Sequence, residues 1–508
     1  MDSVTSNSIF SEPSIFLVIP TVVSLSILCL LPLASWIRWA WQWYHVTIVS
    51  REEFPDLQLP PGTMGYPVVG ETIAFLKKGS QFYKEKMEQY GHVYKTHLLG
   101  RPTIRAMGAD NVKKILMGEN TLVTSHWPTS VRLLLGSGSI SQSSGHVHKV
   151  RRKHMMHAFS RCTLDDMTNV IQNCVTSCMH EWPAAGRMYA YPECKRLAFT
   201  AAARALLGIE PHHFEQSQMH ETFCEFLKNL MTIPYNIPGF GFRKGIKAKT
   251  RLLNNIRDIL PDLEKRPYTP VMRAYYDSTL GSGTETETEI LEGVLDLLFA
   301  GHETVASTAT NCLMFVGQRP DVMDKLREEI ERTLPQGDGC CQTADLSYAR
   351  VNDMKYLNYV IKEVLRVCPP AGAGFRKALK SFELGGYLVP KGWTIMYSIR
   401  ETHHTSPVFE DAASFEPDRW AALTQTSDDD GHDLAKFHYL PFGYGARSCI
   451  GKMYAQLVLK VFLVELVRGY DWRLENPGAE MRYIPIPVAV DHLPITVTRR
   501  PDIRRCEQ

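Results

Sequence analysis

The sequence predicts a mainly α-helical domain with a smaller β part, preceded by a single N-terminal transmembrane helix. The longest helical pattern runs from Glu289 to Gln318 and is apolar enough for a helix in the middle of a large domain. Short runs such as Tyr94–His97 and Thr103–Met107 predict strands. The 508-residue chain has no internal repeat and no long Pro- or Ser-rich linker, so we expect one domain after the anchor.

The N-terminal segment indicates a membrane anchor. Residues from Ile15 to Trp36 form a 22-residue stretch without a charged side chain, which is long enough to span a bilayer as a helix. A cleaved signal peptide has a shorter apolar core, so an anchor is the better interpretation. Acidic residues precede the stretch and arginines follow it, which places the rest of the chain in the cytosol. The expected boundaries are a short lumenal N-terminus at 1–14, the anchor at 15–36, a linker and proline hinge at 37–62, and the main domain at 63–508.

Charge and cysteine content do not suggest a nucleic-acid-binding protein or a disulfide-stabilised one. The net charge of +2 gives no reason to expect a nucleic-acid partner. Twelve cysteines are scattered along the chain without a C-x-x-C pair. In a cytosolic domain we expect them to be mostly free, buried thiols rather than a disulfide framework.

Further helices and strands fill the main domain. Helical spacing of apolar residues predicts helices at Ser80–Gln89, Asp110–Met117, Leu164–His180 and Lys452–Val467. Several short strands are expected between Phe382 and Tyr397, and more near the C-terminus. The body is therefore expected to be helix-rich, with small sheets at its edges.

The most informative residue is Cys449, in the segment from Phe442 to Gly451 with the spacing F-x-x-G-x-R-x-C-x-G. Its three glycines are expected to take positive φ angles and let the backbone approach a flat ligand; they are Gly443, Gly445 and Gly451. A helix should begin just after the cysteine, and its dipole should lower the pKa of the thiol. Arg447 supplies a cation within two residues. The alternative is a buried structural cysteine in a glycine-rich turn.

This segment resembles the haem-binding loop of the cytochrome P-450 superfamily. The resemblance implies a cytochrome P-450 fold in which Cys449 is the axial thiolate ligand of a haem iron. It also implies that Phe442, Gly443 and Gly451 shape the loop around haem b. The run Leu59–Thr72 resembles the proline hinge of microsomal P-450 enzymes, and 63–508 becomes a haem-thiolate monooxygenase domain.

A second motif lies in the long central helix at Ala300–Thr304. A threonine hydroxyl can bond to the carbonyl four residues earlier and distort the helix, as often happens at functional sites. The resemblance implies that Thr304 holds dioxygen and Glu303 delivers protons. A zinc-protease HExxH motif is excluded because Ala306 stands at the second histidine position. His302 is better interpreted as a packing residue than as a ligand.

A third motif is Glu363-Val364-Leu365-Arg366, which puts two opposite charges on one helix face. A surface ion pair is the simplest interpretation of any E-x-x-R taken alone. The segment Phe415–Trp420 follows downstream, and the resemblance makes Glu363, Arg366 and Arg419 a buried structural network that supports the haem loop.

Four cationic side chains are candidates for the haem propionates, and the resemblance implies all four: His148, Arg152, Arg376 and Arg447. Within the basic run from Lys149 to Lys153, we expect Arg152 to point inward and the others outward. The outward group, together with Lys436 and Lys452, could dock an acidic electron donor. The chain has no flavin or nicotinamide domain, so electrons must come from NADPH through a separate reductase.

Longer strings resemble the retinoic-acid hydroxylase family of animal P-450 enzymes (family 26) over nearly the whole body. They include LPPGTMGYPVVGETIAFLKKG and PPAGAGFRKALKSFELGGYLVPKGWTIMYSIRETH. The resemblance implies O2-dependent hydroxylation of all-trans-retinoic acid, mainly at ring carbon 4, at the endoplasmic reticulum membrane. Two alternatives stay open: a related P-450 that acts on a sterol or terpenoid, and a non-catalytic retinoid-binding haem protein.

The resemblance also supplies candidate substrate contacts. The apolar candidates are Trp127, Val131, Phe299, Ala300, Pro370, Ala371, Gly374, Phe375 and the turn from Pro485 to Ala489. Arg101 and Arg105 are candidate partners for the substrate carboxylate, and either could instead be a surface charge. The chain departs from its relatives at Ala373, Val305 and Met231, where Met231 could replace an aromatic pocket residue. These changes bear on retinoid selectivity rather than on haem chemistry.

Overall fold

The computed structural model describes a large part of the chain after the predicted anchor. The described residues are 33, 36, 37, 40, 54–66, 69–157, 159, 161–210, 218–259, 271–272, 275–276, 285–334, 346–425 and 437–500. Within these ranges no helix is both long and apolar enough to cross a membrane. Most of the anchor predicted at 15–36 and most of the linker lie outside the described residues, as does Lys436, and these calls stay predictions.

Helices make up most of the described structure, as predicted. In chain order they are α1 Thr72–Lys78, α2 Ser80–Tyr90, α3 Ala109–Met117, α4 Thr129–Leu135, α5 Gly145–His157, α6 Arg161–His180, α7 Ala190–Ala205, α8 Met219–Lys228, α9 Gly241–Ile259, α10 Glu287–Gly317, α11 Pro320–Thr333, α12 Tyr348–Asp353, α13 Lys355–Val367, α14 Arg400–His404, α15 Arg419–Gln425 and α16 Lys452–Gly469. The helices predicted from apolar spacing are confirmed to within a few residues at each end.

Strands form small sheets at the edges of the helical body. They are β1 Val93–Leu98, β2 Arg101–Ala106, β3 Val123–Ser125, β4 Arg187–Tyr189, β5 Ala373–Ala378, β6 Phe382–Leu384, β7 Tyr387–Val389, β8 Thr394–Ser398, β9 Tyr470–Leu474, β10 Met481–Arg482, β11 Val488–Ala489 and β12 Pro494–Arg499. The largest sheet has the order β1-β2-β8-β5-β3, with only the β2–β8 pair parallel. A three-stranded sheet has the order β4-β12-β9, and β6–β7 and β10–β11 form two hairpins.

The central helix, α10, crosses the main hydrophobic core. It starts with a capping box in which Thr286 and Glu289 satisfy each other's backbone N–H groups. Most of its side chains are buried on all sides, which is expected of a helix enclosed by others. Near Gly301 its neighbours are Ala202 on α7, Leu206 just after α7, and Tyr454 on α16.

Glu363 lies fully buried on α13 and accepts five hydrogen bonds. Arg366 donates two of them from Nε and Nη2, at 2.9 and 2.8 Å, and Arg419 donates one from Nε at 2.9 Å. The Trp420 indole and the Glu416 backbone N–H donate the remaining two, each at 3.0 Å. The structure thus brings the three predicted network residues together, with Glu363 and Arg366 fully buried and Arg419 partly exposed.

The network carries a stability prediction. Replacing Glu363→Gln leaves Arg366 buried without a counter-charge, so we expect the free energy of unfolding to fall by about 3–5 kcal/mol. Urea titration followed by circular dichroism measures this change. Glu383→Gln is the matched control, because Glu383 forms an exposed pair with Lys114 and its loss should cost at most about 1 kcal/mol. Equal losses in the two variants would contradict a special role for the buried carboxylate.

Candidate active site

The cysteine loop, Phe442–Gly451, presents its thiol just before helix α16. The Cys449 backbone N–H donates to the Phe442 carbonyl at 2.8 Å, which closes the loop on itself. Gly443 and Gly445 have φ angles of 65° and 71°, as predicted. The prediction of a positive φ was wrong for Gly451, whose φ is −82° because it is the residue that opens α16. Its backbone N–H instead bonds to the cysteine thiol.

The prediction that the helix lowers the pKa of the Cys449 thiol is also wrong when only the groups of the protein act on it. Burial raises the pKa of Cys449 above its ordinary value, and this effect exceeds the opposing influence of the Gly451 N–H, Arg152 and Lys452. The thiol nevertheless keeps an exposed surface, unlike most other described cysteines, which are buried. A coordinating metal would deprotonate such a thiol outright.

Three arginines from different elements contact the cysteine loop or the nearby Glu119 carboxylate. Arg152 on α5 donates from Nη1 to the Ser448 carbonyl at 2.7 Å and from Nη2 to its hydroxyl at 2.9 Å. Arg447 and Arg376 both contact the Glu119 carboxylate, through their Nε atoms, at 3.0 and 2.8 Å. The structure therefore gathers the three predicted arginines, and it adds a carboxylate that the motifs did not reveal.

His148 stands beside these arginines and stays neutral. Burial, together with the charges of Arg447, Arg152 and Arg376, lowers the pKa of His148 to about 4. At neutral pH its imidazole can donate one hydrogen bond but carries no charge. The cationic part of the predicted propionate set is thus arginine alone.

The buried and exposed side chains of the basic run on α5 differ from the prediction at one residue. Lys149 and Lys153 are exposed, as expected. Arg151 was expected to point outward, but it is buried and pairs with Glu285 at 2.9 Å. It also donates to the Ser143 hydroxyl at 2.7 Å. Its charge supports the loop before α5, so it is not available to a docking partner.

The central helix exposes one short face within the protein. Ala300 is exposed, and Phe299 and Thr304 are half-buried, although most of the helix around them is buried. The Thr304 hydroxyl donates to the Ala300 carbonyl at 2.7 Å, the back-bonding predicted from the sequence. The face carries a hydroxyl beside apolar side chains, which suits a small polar reactant near an apolar ligand.

Glu303 is held by two polar side chains of α7. The Tyr191 hydroxyl donates to Glu303 Oε2 at 2.5 Å, and Lys195 Nζ lies 2.6 Å from Oε1. Burial opposes the charged form, but Lys195 and these hydrogen bonds hold the pKa of Glu303 below its ordinary value. The carboxylate is therefore ionised and anchored next to Thr304. Neither Tyr191 nor Lys195 was recognised from the sequence, because both are distant in sequence and outside any motif.

His302 packs among aromatic rings. Its ring centroid lies 5.2 Å from that of Phe223, 6.1 Å from Phe199 and 6.2 Å from His220. Burial lowers the pKa of His302 to about 3, so it is neutral. This environment matches the packing role favoured by the sequence.

The apolar candidates separate into accessible and enclosed residues. Trp127 and Phe375 lie with ring centroids 6.3 Å apart and are both partly exposed. Gly374 and Ala371 are also accessible. Two other candidates are enclosed: Val131 is fully buried in the main core, and Pro370 is buried before β5. Their contacts with a substrate stay predictions. Met231 is 56% exposed and so lines no enclosed pocket.

Gly374 and the C-terminal turn are fixed by specific contacts. A Cβ on Gly374 would lie 2.3 Å from the Tyr397 hydroxyl oxygen, so a larger residue here would require the Tyr397 ring to shift. The neighbouring departure, Ala373, faces no such restriction. The turn from Pro485 to Ala489 is held because the Pro487 carbonyl accepts from the Ser307 hydroxyl at 2.6 Å. The motifs gave no sign of this contact.

The two candidate carboxylate partners differ sharply. Arg105 is 2% exposed, pairs with Glu401 at 2.9 Å and stacks 4.1 Å from the Tyr83 ring centroid. Its charge is already paired with the half-buried Glu401, and its contact with a substrate carboxylate stays a prediction. Arg101 is half-exposed and contacts the His126 imidazole. Burial lowers the pKa of His126 to about 4, and the charges of Arg101, Arg132 and Lys377 act in the same direction.

His403 links the buried network to the start of the cysteine loop. Its Nε2 accepts from the Leu440 backbone N–H at 2.8 Å, so Nδ1 carries the proton and donates to the Arg366 carbonyl at 3.0 Å. Burial lowers the pKa of His403 to about 3. The sequence did not single this residue out, because one histidine in a helical turn has no motif.

The neutral form of His403 makes stability depend on pH. The unfolded histidine has a pKa of about 6.5, so between pH 6.5 and 3 the unfolded state binds one proton more than the folded state. Stability is therefore lost as pH falls, by about 2 kcal/mol at pH 5 for this one group. We expect His403→Asn to flatten the difference in unfolding free energy between pH 7 and pH 5 by that amount, measured by urea titration.

The exposed His146 supplies the control for this measurement. His146→Asn should leave the pH dependence unchanged. A wild-type pH dependence in His403→Asn would show that this imidazole does not titrate on unfolding as described.

The donors around Cys449 fit a haem better than a bare metal ion. Among the described ranges, no group of three or more His, Cys, Asp or Glu side chains could hold a metal ion. The loop offers a single accessible thiol, which suits a metal whose other ligands come from a macrocycle. Arg152 binds Ser448 next to the thiol, and Arg376 and Arg447 meet at Glu119. Guanidinium is the preferred partner for carboxylates such as propionates.

Comparison with known proteins agrees with this chemistry. The family model described as Cytochrome P450 matches residues 246–496. Cytochrome P450 26A1 of Gallus gallus is 40% identical over 92% of the chain and 96% of its own length. Cytochrome P450 26B1 of Xenopus tropicalis is 39% identical over 92% and 90%. A solved structure, retinoic acid bound cyanobacterial CYP120A1, superposes with a TM-score of 0.78 at 29% identity, covering 88% of this chain and all of its own.

Proposed function

The chain belongs to the cytochrome P450 family, and we propose that within it this protein hydroxylates all-trans-retinoic acid, mainly at ring carbon 4, and so inactivates it. The observation that carries the proposal is the identity of about 40% to the P450 26A1 and 26B1 relatives along nearly the whole chain. The structural neighbour binds retinoic acid, and its fold covers most of this chain. The likeness is therefore not confined to the haem loop that all P450 enzymes share.

Haem b would be held by its iron and by its two propionates. Cys449 would supply the thiolate ligand, and the closed loop presents its sulfur just before α16. Arg152, Arg376 and Arg447 supply donors for the propionates. When bound, the haem and O2 supply the oxidising chemistry that inserts oxygen into a C–H bond, with electrons from NADPH through a separate reductase.

Proton delivery falls to the accessible face of the central helix. The Thr304 hydroxyl lies at that face, and the anchored carboxylate of Glu303 is its sequence neighbour. The Tyr191 hydroxyl donates a hydrogen bond to Glu303 Oε2, and the Lys195 ammonium pairs with the other carboxylate oxygen. These groups can relay protons from α7, whose Lys195 is 23% exposed, towards the helix face. Such a relay is expected of an enzyme rather than of a passive haem-binding protein.

The substrate would lie against apolar and aromatic side chains and end at one cation. Trp127, Phe375 and Phe299 offer accessible aromatic surface, and Ala300 leaves room beside it. Arg101 is the carboxylate partner that remains after Arg105 is assigned to Glu401. An elongated apolar acid satisfies both features, since its chain needs apolar walls and its carboxylate needs a charge.

The cellular setting follows from the same premise. We place residues 15–36 as a single anchor in the endoplasmic reticulum membrane, with the catalytic domain in the cytosol. The exposed Lys149, Lys153 and Lys452 then form a basic surface for an acidic NADPH-dependent reductase. Arg151 is not part of that surface, because Glu285 neutralises it in the interior.

Turnover of the purified full chain with P450 reductase, NADPH and all-trans-retinoic acid tests the proposal. We expect a 4-hydroxylated product and a shift of the Soret band when the retinoid is added without NADPH. A Soret shift without product would indicate a retinoid-binding haem protein. Neither response would contradict the retinoid assignment and favour a sterol or terpenoid substrate.

The carboxylate contact can be tested with Arg101→Gln. Losing one charge-assisted hydrogen bond costs about 1.5–3 kcal/mol, so the Kd for retinoic acid should rise at least tenfold. The Kd for retinol, which carries no carboxylate, should change little; both are measured by Soret titration. Arg257→Gln, on the exposed face of α9, is the control. An equal weakening for acid and alcohol would mean that Arg101 shapes the pocket without binding the carboxylate.

A further inference from the structure

Glu119 occupies an unusual position for a carboxylate. It lies just after α3, in the segment that leads to β3, and its side chain is only 3% exposed. No motif includes it, and none of the roles described for haem or substrate uses it. A buried carboxylate needs strong partners, because an unpaired charge in the interior costs several kcal/mol.

The partners of Glu119 are the arginines of the haem site. Oε1 accepts from Arg447 Nε at 3.0 Å and from the Ser125 backbone N–H at 3.2 Å. Oε2 lies 2.8 Å from Arg376 Nε. One carboxylate thus joins the cysteine loop, strand β5 and strand β3. Arg447 also donates from its two Nη atoms to the Ile140 and Ser143 carbonyls, and Arg376 donates from Nη1 to the Phe375 carbonyl. Glu119 and these backbone acceptors together fix the orientation of the two guanidinium groups.

The charges of the group show what Glu119 changes. Arg152, Arg376 and Arg447 bring three positive charges to the site, and the Glu119 carboxylate removes one. His148 adds none, because its pKa of about 4 leaves it neutral. A net charge of two positive units remains. It is equal in magnitude and opposite in sign to the charge of two ionised propionates.

We propose that Glu119 is a positioning residue for haem: it orients Arg376 and Arg447 and matches the charge of the site to the two propionates. It touches the arginines rather than the reacting atoms, so it acts through them. The proposal rests on the haem site of the family and is independent of the retinoid substrate. A purely local ion pair would have the same contacts but no effect on the electrostatics of the haem.

The reduction potential of the haem in the full-length holoenzyme tests the proposal. Removing a negative charge beside the haem favours the ferrous form, so Glu119→Gln should raise the potential. We expect about a tenfold change in the ferrous-to-ferric ratio at fixed potential, or ~59 mV for one electron. Glu119→Asp keeps the charge but is too short to reach both arginines, so its potential should stay near wild type while haem release to apomyoglobin becomes about tenfold faster.

Two further variants make the test specific. Glu383→Gln removes the same charge from an exposed surface pair and should leave the potential unchanged. The double variant Glu119→Gln/Arg376→Gln removes opposite charges together and should return the potential towards wild type.

Three results would overturn the proposal. One is a wild-type potential in Glu119→Gln. The second is an equal shift of potential in Glu119→Gln and Glu119→Asp. The third is loss of haem from both variants, which would make Glu119 a residue of the fold alone.

Discussion

The cysteine loop depends on one buried carboxylate, Glu363. Its two oxygens accept five hydrogen bonds, and the arginine that supplies two of them has no exposure of its own. Arg366 uses its remaining donors on backbone carbonyls of the segment before α15, and its own carbonyl receives His403. His403 in turn accepts the Leu440 N–H at the entrance to the loop. The position of the thiol is therefore set by a continuous chain of buried polar contacts, each of which would be costly to leave unpaired.

The arginines of the haem site are also held by a buried carboxylate, but here the cations outnumber the anion. Arg376 and Arg447 reach the haem site from a strand and a loop that are far apart in sequence, and Glu119 meets both. Arg152 is fixed on Ser448 instead. Cations gathered for an anionic cofactor repel one another, so a buried anion among them both holds and limits their charge. On the distal side, Lys195 and Tyr191 play a comparable part for Glu303.

Sequence motifs predicted the functional residues that lie within one short segment. They did not predict contacts between segments that are distant in sequence. Cys449, Thr304 and the Glu363–Arg366 pair lie within short patterns whose spacing already fixes their geometry. Glu119, His403, Tyr191 and Ser307 act through contacts between segments, so no spacing announces them. The thiol pKa shows a second kind of failure: the sequence reveals the helix start that would lower the pKa, but not the burial that outweighs it. Arg151 was misjudged because its counter-charge, Glu285, lies far away in sequence. The partner of Arg105, Glu401, was missed for the same reason.

Assignment of Cys449 as the axial ligand is the claim on which haem binding, oxygen chemistry and the retinoid proposal all depend. The reduced-CO difference spectrum of the full chain tests it most directly. We predict a thiolate-type band for the wild type, as expected of a cysteine-ligated haem, and its loss in Cys449→Ser. Persistence of that band in Cys449→Ser would contradict the assignment.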